Sequence, residues 1–299
     1  MQLFLRIAEL GSFSRAAEDL GLPKANASAA VQQLESALGT RLLHRTTRRV
    51  ALTQDGRAFY ERARDLLTDL DELESMFRPA AHGLRGRLRV DMPTGTARNY
   101  VIPRLPEFLA AHPELQLELS STDRRVDPVR EGFDCVLRVG SIGDVNLIAR
   151  PLGHFQVITC ASPEYLAAFG TPRTPADLAG HRLVHYAAAF GASPDGFEYF
   201  DGERYRTLPL AGALTVNNAE AYEAACLAGL GLIQVPGRGV RRLIEQGRLV
   251  EVLPAYRAEP MPVTLLYAAR RNLSQRVQVF MQWLAQTLAP ELDAAPPPG

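Results

Sequence analysis

The stretch from Gly11 to Gly56 leaves this chain few ways to fold. Within it, Ala27, Val31, Leu34 and Leu38 are spaced four, three and four residues apart, which is one apolar stripe of a helix of period 3.6. The other face carries Lys24, Ser28, Ala29, Gln32 and Ser36, small or polar side chains with one charge among them. An ordinary surface helix is dotted with Glu and Lys. A face of small residues and amides suits the major groove of DNA, where bulk clashes and amide side chains can bond adenine edges. Upstream, Ser14 stands where an N-cap is expected, ahead of the helix-forming run Arg15–Leu20. Gly21-Leu22 supplies a tight turn, and Pro23 suits a helix start because its missing N–H would have no partner there. Two helices joined so closely are the geometry that lays the second in the groove.

The residues after this helix read as a wing. Leu42–Arg45 and Val50–Leu52 can form two short strands about the turn Thr46-Thr47-Arg48-Arg49. Residues 40–57 hold Arg41, Arg45, Arg48, Arg49 and Arg57 against one acid, Asp55, in a chain whose net charge is zero. A local excess of that kind is an electrostatic footprint, since arginine forks bind phosphate bidentately and phosphate contacts supply affinity and register. The candidate DNA-binding residues are therefore Lys24, Asn26, Ser28 and Gln32 in the groove, with Arg45, Thr46, Arg48 and Arg49 on the backbone.

The string Ala8-Glu9-Leu10-Gly11-Ser12-Phe13-Ser14-Arg15-Ala16-Ala17, then Ser28, Leu34-Glu35, the run Leu38–Arg49 and Leu52-Thr53-Gln54-Asp55-Gly56 closely resembles the LysR family of bacterial transcriptional regulators. Gly86-Arg87-Leu88-Arg89-Val90 is similar to the effector-domain start of one branch of that family. Pro23, Ala27 and Ala29 depart from the residues usual at their positions, and the first helix is shorter than the pattern. The resemblance implies a promoter-binding regulator that works as a homo-oligomer, dimer or tetramer, is modulated by a small-molecule effector, and has RNA polymerase as a further candidate partner.

Thr53 is placed to cap a long helix, and Phe59, Ala63, Leu66, Leu70, Leu73 and Phe77 follow at spacings of four and three on an otherwise acidic segment. That is the seam of a coiled coil, and a two-fold pair would double the DNA contacts on a palindromic site. Past Pro79, Gly83 and Gly86 the pattern changes to short strands alternating with helices, which argues for an open, mainly parallel α/β sheet. The family resemblance, not the periodicity, implies two lobes like those of periplasmic binding proteins. The expected fold is thus α + α/β: a winged helix-turn-helix over 1–53, a dimerisation helix over 54–78, a hinge linker over 79–86, and an effector-binding domain over 87–290. Its lobes would take 87–160 with 264–290, and 161–263, with crossovers near Cys160 and Val263, before a disordered tail over 291–299.

Ligands of open α/β sheets sit beyond the carboxyl ends of strands, against helix N-termini. Thr94, Gly95 and Thr96, Ser121, and Asn217 and Asn218 occupy such positions, and Arg138 is the fixed positive charge nearest to them. A pocket of hydroxyls, amides and one guanidinium suits a small anionic or polar effector. These Ser, Thr and Asn residues also read as caps and turn formers, and Arg138 could instead pair with Asp134 or Asp123.

Two other function classes compete with this reading. An enzyme would need a motif that the chain lacks: there is no GxSxG elbow, P-loop or GxGxxG after a strand. His181 and His185 have metal-like spacing but no acidic third ligand nearby, and Cys135, Cys160 and Cys226 fit neither a disulfide framework nor a metal site. No metal and no cofactor is expected. An exported solute-binding protein is opposed by the absence of a basic, apolar leader at Met1–Arg6 and by the DNA-binding head. No apolar run approaches a membrane span, so the expected address is cytoplasmic.

Overall fold

A computed structural model describes residues 1–45, 50–75, 84–142, 147–187, 190–191, 196–268 and 273–293, without the side chains of Arg45, Asp65, Thr68, Asp69, 71–75 and Arg130. The chain divides into two compact units, Met1–Arg87 and Leu88–Gly299.

The first unit opens with α1 (Gln2–Leu10), α2 (Phe13–Asp19) and α3 (Lys24–Leu38). Gly11 ends α1 in the left-handed region at φ 61°, which leaves Ser12 extended. Ser12, not Ser14, is therefore the N-cap of α2, its hydroxyl accepting the Arg15 N–H at 3.4 Å. Strands β1 (Leu43–Arg45) and β2 (Val50–Leu52) pair antiparallel as the wing, and α4 (Gln54–Ser75) follows. Thr53 caps α4 as expected: its hydroxyl accepts the Gly56 N–H at 2.8 Å while donating to the Arg41 carbonyl at 2.7 Å. The core joins Phe4, Ile7, Ala16, Val31, Leu42, Leu43 and Ala63, with Phe4 edge-on to Phe59 at 5.4 Å.

This core corrects two expectations. Leu38 falls out of the α3 stripe and is exposed, because α3 outruns the surface it packs on. On α4, Phe59 and Ala63 face the unit's own core, so the seam does not extend over its whole length. Leu66 and Leu70 remain exposed at 58% and 47%. The side chain of Leu73, and Phe77 altogether, lie outside the described residues.

The second unit holds β3 (Arg85–Met92), β4 (Glu114–Ser121), β5 (Cys135–Val139), β6 (Ile148–Phe155), β7 (Val157–Ala161), β8 (His185–Tyr186), β9 (Phe197–Phe200), β10 (Tyr205–Leu208), β11 (Thr215–Val216), β12 (Ile233–Pro236), β13 (Val250–Val252) and β14 (Met261–Tyr267). One lobe is the sheet β4-β3-β5-β14-β6; the other has the sheet β12-β7-β13, the short parallel pair β11-β8 and the hairpin β9-β10. The five-stranded sheet is mixed and the β12-β7-β13 sheet is antiparallel throughout, so the unit is not mainly parallel. β3 and β5 run parallel, but β14 enters antiparallel to both β5 and β6 because it returns from the other lobe.

β7 pairs wholly within the second lobe, so the first crossover lies at Gln156, upstream of Cys160, and the second precedes Met261. Those pairings move the expected lobe boundaries with them. Helix Gln275–Leu288 packs Phe280 and Trp283 against Phe108 of the first lobe, with ring centroids 5.6 and 4.7 Å apart. Beyond it, His154 and Asp293 exchange backbone hydrogen bonds at 3.0 and 2.9 Å, which ties down residues expected in the tail.

Candidate nucleic-acid interface and effector cleft

On α3, Ala27 and Val31 are buried while Lys24, Asn26, Ser28, Ala29 and Gln32 are all exposed on the outward side. The face proposed from sequence is therefore available. Its orientation is fixed by a residue that sequence reading had left without a role. Glu35, one turn beyond Gln32, turns its Oε1 to accept the backbone N–H groups of Leu42 and Leu43 at 2.8 and 3.1 Å, pinning the first wing strand to α3. The signal available in the sequence is that Glu35 is the one acid on a helix whose other charge is Lys24. The Thr40 hydroxyl donates to Asp55 Oδ2 at 2.7 Å across the same junction. A Cβ on Gly56 would lie 1.9 Å from the Leu42 carbonyl oxygen, so only glycine lets α4 approach the wing this closely.

Lys24 Nζ stands 3.6 Å from Glu18 Oε2, a solvent-exposed pair that leaves the ammonium exchangeable. Arg6 joins α1 to α2 through Asp19 at 2.6 Å, and its guanidinium holds the Asp19 carboxyl below the usual range. Arg45 belongs to β1, but its side chain and all of Thr46, Arg48 and Arg49 lie outside the described residues.

The effector candidates divide differently. Arg138 pairs with Asp91, Nη2 to Oδ2 at 2.6 Å, rather than with Asp134 or Asp123. Asp91 is fully buried and also accepts the Thr122 hydroxyl at 3.0 Å, so burial commits this guanidinium to a structural carboxylate. Asp134 instead accepts the Arg89 N–H at 2.8 Å. Thr96 is buried, and Asn218 caps the helix Ala219–Leu227 by accepting the Ala221 N–H at 2.8 Å. Thr94 and Gly95 are half-buried; Ser121 and Asn217 are exposed.

Asp123 bridges the two lobes. Its Oδ1 accepts the Thr94 N–H at 2.8 Å, where the helical run 94–111 begins. Its Oδ2 accepts the Ala219 N–H at 2.6 Å, in the first turn of helix Ala219–Leu227 in the other lobe. Tyr186 is close by: burial first, and then the charge of Asp123, pushes its hydroxyl up to about 12. Arg98 reaches Glu223 at 3.0 Å and Glu220 at 3.8 Å across the lobes. A concavity of about 400 Å³ lies elsewhere, between helices Leu105–Ala111 and Gln275–Leu288, lined by Phe108, His112 and Trp283 and by no cleft candidate.

His181 Nδ1 lies 3.2 Å from the Tyr165 hydroxyl within the second lobe's core, and His185 is buried. The three cysteines are buried and free, with burial raising the Cys135 thiol and the neighbouring Cys226 raising that of Cys160. No helix among the described residues is long and apolar enough to cross a membrane.

A winged helix-turn-helix with an outward amide face, followed by a two-lobed α/β unit with helix N-termini at its cleft, defines a DNA-binding regulator with a ligand-sensing domain. Residues 1–57 match the bacterial regulatory helix-turn-helix of the lysR family, and residues 81–289 match the LysR substrate binding domain. The chain belongs to the LysR family of transcriptional regulators. It is 50% identical over 293 residues to YhjC, an HTH-type transcriptional regulator of Escherichia coli K12, covering 98% of both chains. An HTH-type transcriptional repressor of Pseudomonas aeruginosa is 38% identical, with 99% of this chain and 94% of that one covered. The structure of CrgA, a LysR-type regulator from Neisseria meningitidis, superposes with a TM-score of 0.62 at 29% identity, covering 96% of this chain and 97% of that one. The protein is thus a transcriptional regulator and not an enzyme, with a DNA-binding domain, an effector-binding domain and an oligomeric working form.

Proposed function

We propose that α3 lies in the major groove with Asn26, Ser28 and Gln32 at base edges and Lys24 beside them, while Arg45, Thr46, Arg48 and Arg49 hold the phosphates. Two copies pair through the exposed end of α4, around Leu66 and Leu70, and read a palindromic promoter site in the cytoplasm. A small anionic molecule entering the cleft beside Thr94, Gly95, Ser121 and Asn217 favours one arrangement of the oligomer over another, which changes its hold on DNA and its dealings with RNA polymerase. The observation that carries this reading is the exposure of the whole small-polar face of α3, with Ala27 and Val31 buried on the opposite side.

The test is binding to the DNA upstream of the protein's own gene. Affinity falls steeply with salt, as counterion release requires. Arg48→Ala weakens binding to every sequence alike, whereas Gln32→Ala changes the preference between sites by about 1–3 kcal/mol. Uniform weakening by both variants removes the groove assignment.

A further inference from the structure

The effector cleft already contains an anion, and it comes from the chain itself. Helix N-termini carry N–H groups without intrahelical partners and a partial positive charge, so two of them aimed at one point form a seat for a carboxylate. In this molecule the N–H groups of Thr94 and Ala219 meet at Asp123, one on each oxygen, at 2.8 and 2.6 Å. Thr94 belongs to one lobe and Ala219 to the other, so a single side chain spans the cleft. The surroundings are built for close contact at this point. A Cβ on Gly95 would lie 3.7 Å from the Ala219 Cβ, and Arg98 grips Glu223 of the same helix from across the cleft. Asn99 adds a longer bond, 3.4 Å, to the Gly239 carbonyl.

We propose that Asp123 is an intramolecular latch that holds the two lobes together in the absence of effector, and that a carboxylate-bearing effector is admitted by taking its place on the Thr94 and Ala219 N–H groups. This rests on the reading that the effector enters this cleft. The latch sets a threshold. Charge-assisted bonds are about twice as strong as neutral ones, and a tethered carboxylate acts at an effective concentration of about millimolar or above. A simple free carboxylate therefore competes poorly. The true effector must add contacts, for which the candidates are Tyr186, within electrostatic reach of Asp123, and the exposed Ser121 and Asn217, two residues before Asp123 and Ala219 in the chain. Once Asp123 is displaced, the lobes are joined through the ligand instead, and their relative position follows the ligand's length.

The experiment is thermal unfolding of the full-length protein and its Asp123→Ala variant in sodium acetate and in sodium chloride of equal ionic strength. The variant melts lower than the wild type in chloride, and acetate restores it along a saturable curve, because a bound ligand stabilises in proportion to ln(1 + [L]/Kd). The wild type shows no acetate-specific rise, its seat being filled. Equal melting of the two proteins, or an equal response to acetate, overturns the latch.

If Asp123→Ala does not fold, Asp123→Asn gives the same answer by hydrogen exchange. Its amide keeps one acceptor oxygen but turns a donor toward the second N–H. Peptides covering the start of helix Ala219–Leu227 then exchange at least about tenfold faster, each tenfold being about 1.4 kcal/mol of opening free energy. Unchanged exchange overturns the proposal. The effector reading fails separately: acetate still rescues Asp123→Ala while no small metabolite shifts the melting of the wild type.

Discussion

The outward face of α3 and the cleft of the second unit are both polar, but their polar groups are engaged differently. On α3, Asn26 and Gln32 stand exposed on a helix whose opposite side is buried, and the anchoring is done by Glu35, outside that face. In the cleft, polar groups largely satisfy one another: Arg138 with Asp91, Asn218 with Ala221, Asp123 with Thr94 and Ala219. A surface that reads a large, always charged polymer can be left open to water, because phosphate and base edges displace that water at little cost. A cleft between two lobes closes over its polar groups, and any left unpaired there would carry a desolvation penalty. On the readings proposed above, the head is preformed for DNA, whereas the cleft exchanges an internal bond for an external one.

Substitutions that affect one region and spare the other sharpen this contrast. The largest effect is expected from Gly56→Val, whose side chain would collide with the Leu42 carbonyl and force α4 off the wing. DNA binding is lost altogether, while the melting transition of the effector-binding unit stays in place by calorimetry.

Next comes Arg138→Met, which strands the buried Asp91 carboxylate and costs about 3–5 kcal/mol. The effector-binding unit then melts on the order of 10 °C lower. Adding Asp91→Asn recovers part of the loss, and an unchanged melting temperature in the single variant would mean the pair is not structural. The smallest effect is that of Leu66→Asp with Leu70→Asp, which places charges on the exposed end of α4. Sedimentation shows a shift toward monomers and promoter affinity drops on the order of a hundredfold, the avidity of two linked heads. Unchanged sedimentation would place the pairing surface elsewhere.

The contrast also explains what could be read from the residues. The α3 stripe, the wing strands, the Thr53 cap and helix Gln275–Leu288 follow from period and capping chemistry, which act locally. Leu38 was misplaced because period alone does not say where the neighbouring surface ends. Phe59 and Ala63 read as part of an intermolecular seam because an apolar stripe looks the same whether it meets its own core or a second chain. Ser12 and Ser14 are the same residue type two positions apart, and the choice between them rests on the conformation of Gly11.

In the cleft, Arg138 and Asp91 are 47 residues apart and Asp123 and Ala219 are 96 apart. No local pattern couples such pairs. Strand ends single out residues on both lobes there, but the pairing among them comes only from the assembled sheets. The sequence offers Asp123 only as a partner for Arg138, and its place between Thr94 and Ala219 arises only when the two lobes come together.

The most direct test of the account is methylation interference on the protein's own upstream DNA, since methylation at guanine N7 blocks the major groove alone. Insertion of α3 predicts interference at guanines in two clusters about 10 base pairs, or a multiple of that, apart, one for each half-site. Binding that tolerates N7 methylation throughout the protected region would contradict it.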